Sequence, residues 1–116
     1  YETRYGGQGG NNMAYAMAIE ELAKACGTTA TIVAAHTSLC CNPIYDWGTE
    51  EQKMKYLPDL LAGRKIGAFG LTEPGAGSDA SRQQTTAVLE GDHYVLNGSK
   101  CFITNASEQM CSLFWR

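Results

Sequence analysis

The sequence predicts an α+β chain in which helices come first and strands follow. Three observations carry that reading. Residues 11–63 are rich in Ala, Met, Leu, Glu and Lys, most of them side chains that lose little on entering a helix. Residues 65–104 are rich in Gly, Thr, Val and aromatic residues, which favour turns and pleated surfaces. The total of 116 residues, 44% hydrophobic and 18% charged, suits one modest packed core rather than a disordered tail.

The first helix starts at Asn11 or Asn12, either of which can cap it, and runs to about Cys26. Met13, Met17, Ala18, Leu22 and Ala25 form one apolar stripe, read as core, with Glu20, Glu21 and Lys24 opposite. Gly27 is read as the stop. A second helix spans Thr28 or Thr29 to Cys41 and is almost uncharged, which places it inside a bundle or against an apolar ligand. Pro43 is expected to kink or end it. Thr49-Glu50-Glu51-Gln52 is a capping-box signature that opens a further helix, which Pro58 should break or bend and Gly63 closes.

Ile66 to Leu71 reads as a short buried strand. Thr85 to Leu89 and His93 to Leu96, joined by Glu90-Gly91-Asp92, read as a hairpin with Tyr94 and Leu96 on one face. After the Asn97-Gly98 turn, Lys100 to Thr104 reads as another strand.

Nine basic against twelve acidic residues give a net charge of −3 with no basic patch, which argues against a nucleic-acid partner. No apolar run approaches the roughly 18–20 residues of a membrane-spanning helix. Five cysteines without a C-x-x-C spacing argue against a disulfide framework or a zinc knuckle. His36 and Cys40 stand four apart but have no second pair, so no metal site is expected. Asn97-Gly98-Ser99 and Asn105-Ala106-Ser107 are read as chance matches to the glycosylation pattern.

The loop Thr72-Glu73-Pro74-Gly75-Ala76-Gly77-Ser78-Asp79 is the most informative segment. Its glycines permit unusual backbone angles and close approach of a ligand, and its hydroxyls and amides suit a flat polar heterocycle or a phosphate. Gly75 to Ala80 also fits G-x-G-x-x-A, but Arg82-Gln83-Gln84-Thr85 leads toward a strand rather than a long helix, so a dinucleotide fold is not expected.

Ile66-Gly67-Ala68-Phe69-Gly70-Leu71-Thr72-Glu73-Pro74-Gly75-Ala76-Gly77-Ser78-Asp79 resembles the signature of the acyl-CoA dehydrogenases. Tyr5-Gly6-Gly7, Ala18-Ile19-Glu20-Glu21-Leu22, Gly48-Thr49-Glu50-Glu51-Gln52-Lys53 and Leu96-Asn97-Gly98-Ser99-Lys100-Cys101-Phe102-Ile103-Thr104-Asn105 follow that family's order and spacing. The chain is most similar to bacterial short-chain, butyryl-CoA-type members.

The resemblance implies helices of an N-terminal helical domain over residues 1–63. It implies the opening strands of a middle, β-barrel-like domain over residues 64–116, both cut from a longer homotetrameric protein. It implies FAD-dependent dehydrogenation of short-chain acyl-CoA thioesters to trans-2-enoyl-CoA. Electrons would pass to electron-transfer flavoprotein, in a bacterial cytoplasm or a mitochondrial matrix. Phe69, Gly70, Leu71, Thr72, Glu73, Pro74, Gly75, Ala76, Gly77 and Ser78 would form the first flavin-binding segment. Phe102, Ile103 and Thr104 would form the second, with Phe102 standing where many members carry Trp. Ser78, Ala35, His36 and Leu39 would touch the acyl-CoA. Nothing in the chain matches the family's catalytic glutamate, because Glu73 belongs to the flavin motif and Glu20 and Glu21 lie on a helix surface. The isolated chain is therefore expected to be inactive. After Asn105 the match is read as decaying across Ser107 to Arg116. The alternative reading is a family-derived module without catalysis that binds flavin or CoA or serves assembly.

Overall fold

The computed structural model describes residues 1–107 and the backbone of residues 111–114. Helix α1 spans Asn12–Ala25, and the Asn11 side chain caps it by accepting from the Ala14 N–H at 2.9 Å. Gly27 does not stop this helix. Cys26 alone turns the chain in an extended conformation, and Gly27 already opens helix α2, Gly27–Ala34. The methionine stripe is not core among the described residues, since no residue of α1 is buried and Met13 and Met17 are 68% and 59% exposed. Packing against α2 does not cover that face.

The uncharged second helix continues past Ala34 as a π-helical stretch, Ala35–Cys41, and then as helix α3, Asn42–Trp47. Both junctions keep right-handed helical angles, so Pro43 does not end the helical path. It sits in the first turn of α3, just after a π-helix whose wider turn relieves the clash with the carbonyl four residues back. Helix α4 spans Glu50–Leu61. Its capping box is complete: Gln52 N–H donates to Thr49 Oγ1 at 3.2 Å, and Thr49 N–H donates to Gln52 Oε1 at 2.9 Å. Pro58 lies inside this helix without breaking it. Leu57 and Leu60 flank it and are buried, so packing outweighs the missing hydrogen bond.

Tyr5, Cys40, Cys41, Ile44, Leu57 and Leu60 form the core cluster. The Tyr5 hydroxyl, at its edge, donates to Glu50 Oε2 at 2.8 Å.

Strand β1, Gly67–Gly70, starts against the π-helical stretch. A Cβ on Gly67 would collide with the Cys40 side chain, so only glycine permits this approach. Two side chains tie the helices to β1. His36 Nδ1 accepts from the Gly67 N–H at 2.9 Å, which leaves Nε2 to donate to the Leu60 carbonyl at 3.1 Å. Asn105 Nδ2 donates to the carbonyls of Gly67 at 3.1 Å and Ile32 at 3.3 Å.

Strands β2, Thr86–Glu90, and β3, His93–Asn97, form the antiparallel hairpin, with Val88 opposite Val95 and Gly91 at φ +65° in its tight turn. Lys100 to Thr104 is not a strand. Phe102 at φ 57° and Asn105 at φ 70° are left-handed, which breaks a pleated run. A further strand, β4, Cys111–Phe114, instead pairs in parallel with β1, Gly67 opposite Cys111. It falls in the stretch read from the sequence as divergent; residues 108–110 and 115–116 of that stretch lie outside the described residues.

Candidate functional site

A cleft of about 180 Å³ opens where the π-helical stretch faces the end of β1. Its lining is Ala35, Leu39, Phe69, Leu71, Thr72, Phe102, Ile103 and Thr104. Three segments far apart in sequence converge here, each placed by a local device. The π-helix sets Ala35 and Leu39 four residues apart on one wall. Strand β1 delivers Phe69 and stops before Leu71 and Thr72. The left-handed turn at Phe102 brings Phe102, Ile103 and Thr104 round to the same opening, with the Phe102 ring 92% exposed. Apolar faces with two threonine hydroxyls suit one edge of a flat heterocycle carrying polar atoms.

Behind the cleft lies a buried polar cluster. Lys100 Nζ and Glu73 Oε1 are 2.9 Å apart, and the two side chains are 4% and 6% exposed. The ammonium also donates to the Leu71 carbonyl at 2.9 Å and to Gln83 Oε1 at 2.6 Å. Glu73 accepts from the backbone N–H of Thr85 through Oε1 at 3.0 Å and of Gln84 through Oε2 at 2.6 Å. The Lys100 ammonium, with Thr85 and the Gln84 amide, lowers the Glu73 carboxyl from its ordinary 4.5 to about 2. Glu73 is therefore a fixed anion whose oxygens are already engaged. Backbone bonds complete the loop: Cys101 N–H donates to the Thr72 carbonyl at 2.9 Å, and Glu73 and Ala76 exchange two bonds of 3.1 Å around Pro74 and Gly75.

The residues singled out from the sequence thus separate into groups. Ala35 and Leu39 share the cleft with Phe69, Leu71, Thr72, Phe102, Ile103 and Thr104. Gly70 is buried in β1, and Ala76 is buried under the turn. Glu73 points away from the cleft, into the Lys100 cluster. Pro74, Gly75, Gly77 and Ser78 are exposed on the loop and do not line the cleft. Neither Gly75 nor Gly77 is left-handed, and neither has an atom near its missing Cβ, so these glycines leave a bare backbone surface rather than an unusual angle. His36 is drawn off the cleft because both of its ring nitrogens serve the link between α4 and β1. It lines a separate open groove of about 1110 Å³ beneath the Gly6–Asn12 segment. The sequence places Lys100 and Asn105 within the motif but assigns neither a role. A lysine directly after a turn in an apolar, glycine-rich region was the available signal for the first.

Comparison with known proteins identifies the family and the fold. The model of the acyl-CoA dehydrogenase N-terminal domain matches residues 1–64, and that of the middle domain matches residues 68–115. The family pattern therefore continues past Asn105, where the sequence reading had it decay. A short-chain specific acyl-CoA dehydrogenase of Clostridium acetobutylicum is 63% identical over 90% of this chain and 28% of its own length. The butyryl-CoA dehydrogenase structure from Megasphaera elsdenii superposes with a TM-score of 0.93 at 50% identity, over 98% of this chain and 31% of that one. A glutaryl-CoA dehydrogenase from Mycobacterium smegmatis in complex with FADH2 gives 0.92 at 40% identity, over 96% and 29%. The chain spans less than a third of the length of these relatives, and within that span it belongs to the acyl-CoA dehydrogenase family.

Proposed function

We propose that this chain supplies part of the flavin and acyl-CoA site of an FAD-dependent dehydrogenase that converts short-chain acyl-CoA thioesters to trans-2-enoyl-CoA. The enzyme would work as a homotetramer and pass electrons to electron-transfer flavoprotein. The observation that carries this reading is the cleft, which unites both flavin-motif segments with the π-helical wall. The lining fits a flavin. Leu71 and Phe102 offer apolar surface to the ring, while the Thr72 and Thr104 hydroxyls offer hydrogen bonds to its polar atoms.

Bound FAD supplies the two-electron acceptor for the substrate's β-hydrogen. The chain's own residues bind and orient. Threonine hydroxyls held by a fixed backbone can meet developing negative charge without reorganising, which is where such donors lower a barrier. Ala35 and Leu39 add an apolar wall for a short acyl chain. Glu73 is not the proton acceptor, since its oxygens are committed to Lys100, Gln84 and Thr85. The base would come from outside this chain.

The test is the full-length protein that carries this segment. It should purify yellow, release FAD on denaturation, and lose its flavin absorbance when butyryl-CoA is added without air. A folded, colourless protein whose melting temperature FAD does not raise would overturn the reading.

A further inference from the structure

We propose that Glu73 and Lys100 are positioning residues for the flavin, a buried ion pair that sets the Leu71–Thr72 backbone and the Phe102 turn against the ring. This rests on the flavin reading above and assigns work to two residues that do not line the cleft.

The connections are specific. One ammonium holds a carbonyl of the first cleft segment, Leu71 at 2.9 Å, and a side chain of the segment before β2, Gln83 at 2.6 Å. Lys100 itself stands two residues before Phe102, at the start of the second cleft segment. Its neighbour Cys101 donates from its backbone to the next carbonyl, Thr72, at 2.9 Å. Two successive carbonyls are thus tied to two successive residues, Lys100 and Cys101. A trans peptide points its N–H opposite to its carbonyl, so the Thr72 N–H is turned away from Lys100. Glu73 closes the arrangement by accepting from Lys100 and from the Thr85 and Gln84 amides.

An ion pair is a poor way merely to fill this space. Removing two charges from water offsets most of their attraction, and apolar residues of similar volume often serve stability as well. What apolar residues cannot do is fix backbone carbonyls in direction. Here one bond fixes the Leu71 carbonyl at the cleft, and three others anchor the pair to Gln83, Gln84 and Thr85 in the segment before β2. The half-buried Lys65–Asp59 pair, at 2.8 Å, offers an internal contrast because neither residue lines the cleft.

The experiment titrates FAD into the full-length apoprotein of wild type, Lys100→Met, Glu73→Gln and Lys65→Met, after circular dichroism has verified folding. Lys100→Met should raise the Kd for FAD at least tenfold and shift the absorption band of the flavin that remains bound. Glu73→Gln should change both in the same direction by a smaller factor, and Lys65→Met should match wild type. A purely structural pair would lower the melting temperature but leave the Kd and the flavin spectrum of folded protein unchanged. That result in Lys100→Met overturns the proposal, and in Glu73→Gln it does so even where Lys100→Met fails to fold. A wild-type protein that takes up no FAD overturns the flavin reading itself, and the pair's role with it.

Discussion

Helix α1 and the segment 100–105 make an instructive pair. Helix α1 is regular in every local respect, with its Asn11 cap and its Lys24 pairs to Glu20 and Glu21, yet none of its residues is buried. The segment 100–105 has no ladder and carries two left-handed residues that are not glycine. Yet its Lys100 side chain is almost wholly enclosed, and its Asn105 side chain bridges to Gly67 and Ile32. Local regularity makes an element form; it does not decide where the element is held. Polar side chains aimed at backbone carbonyls hold an irregular segment in place, and in this molecule they hold the segments that line the cleft.

The contrast can be broken first in the core that both regions depend on. Leu57 is fully buried beside Pro58 in α4. Leu57→Ala should cost about 2–5 kcal/mol in urea unfolding, because it removes buried methyl groups and leaves a cavity. A loss below about 1 kcal/mol would mean that packing is not what carries α4 through its proline.

Asn105→Ala should cost about 1–3 kcal/mol, combining two lost hydrogen bonds with a left-handed angle that alanine tolerates less well than asparagine. Asn105→Gly separates the two contributions, since it relieves the angle and still loses the bonds. If Asn105→Gly unfolds at the wild-type denaturant concentration, the bridge to β1 contributes nothing.

The Glu73 pair predicts a pH dependence of defined sign. Its carboxyl is lowered from 4.5 to about 2 in the folded chain, so its contribution is complete above 4.5 and fades as pH falls toward 2. The gap in melting temperature between wild type and Glu73→Gln should therefore narrow over that window. A gap that stays constant would show that shape, not charge, holds the loop.

These cases also explain what was legible in the sequence. Devices that act within four residues were readable: the Asn11 cap, the Thr49–Gln52 box and the Gly91 hairpin turn. Devices whose partners lie far along the chain were not. Lys100 reaches Leu71 and Glu73 across 29 and 27 residues, and His36 reaches Gly67 across 31. No local pattern announces such partners, so the sequence alone reads Lys100 to Thr104 as a strand and shows neither ring bond of His36. The prolines misled for the same reason. Pro43 and Pro58 break isolated helices, and only a widened π turn and the burial of Leu57 and Leu60 let these helices continue. The cleft itself was readable in part, because the motif letters that line it fall in two short runs, Phe69 to Thr72 and Phe102 to Thr104. The split of that motif into residues that face the cleft and Glu73, which faces away, follows from tertiary bonds alone.

The smallest expected effect lies on α1. Met17 is 59% exposed, so Met17→Ala removes little buried surface and gains helix propensity. Its cost in the 116-residue chain should stay within about 0.5 kcal/mol, the range of surface substitutions. The same substitution in the full-length protein sharpens the comparison. A cost there of about 2 kcal/mol or more would show that the stripe of Met13, Met17 and Leu22 is covered by further chain or by another subunit. Equal costs in both would mean that α1 is held by α2 alone, and that its apolar face stays open to solvent.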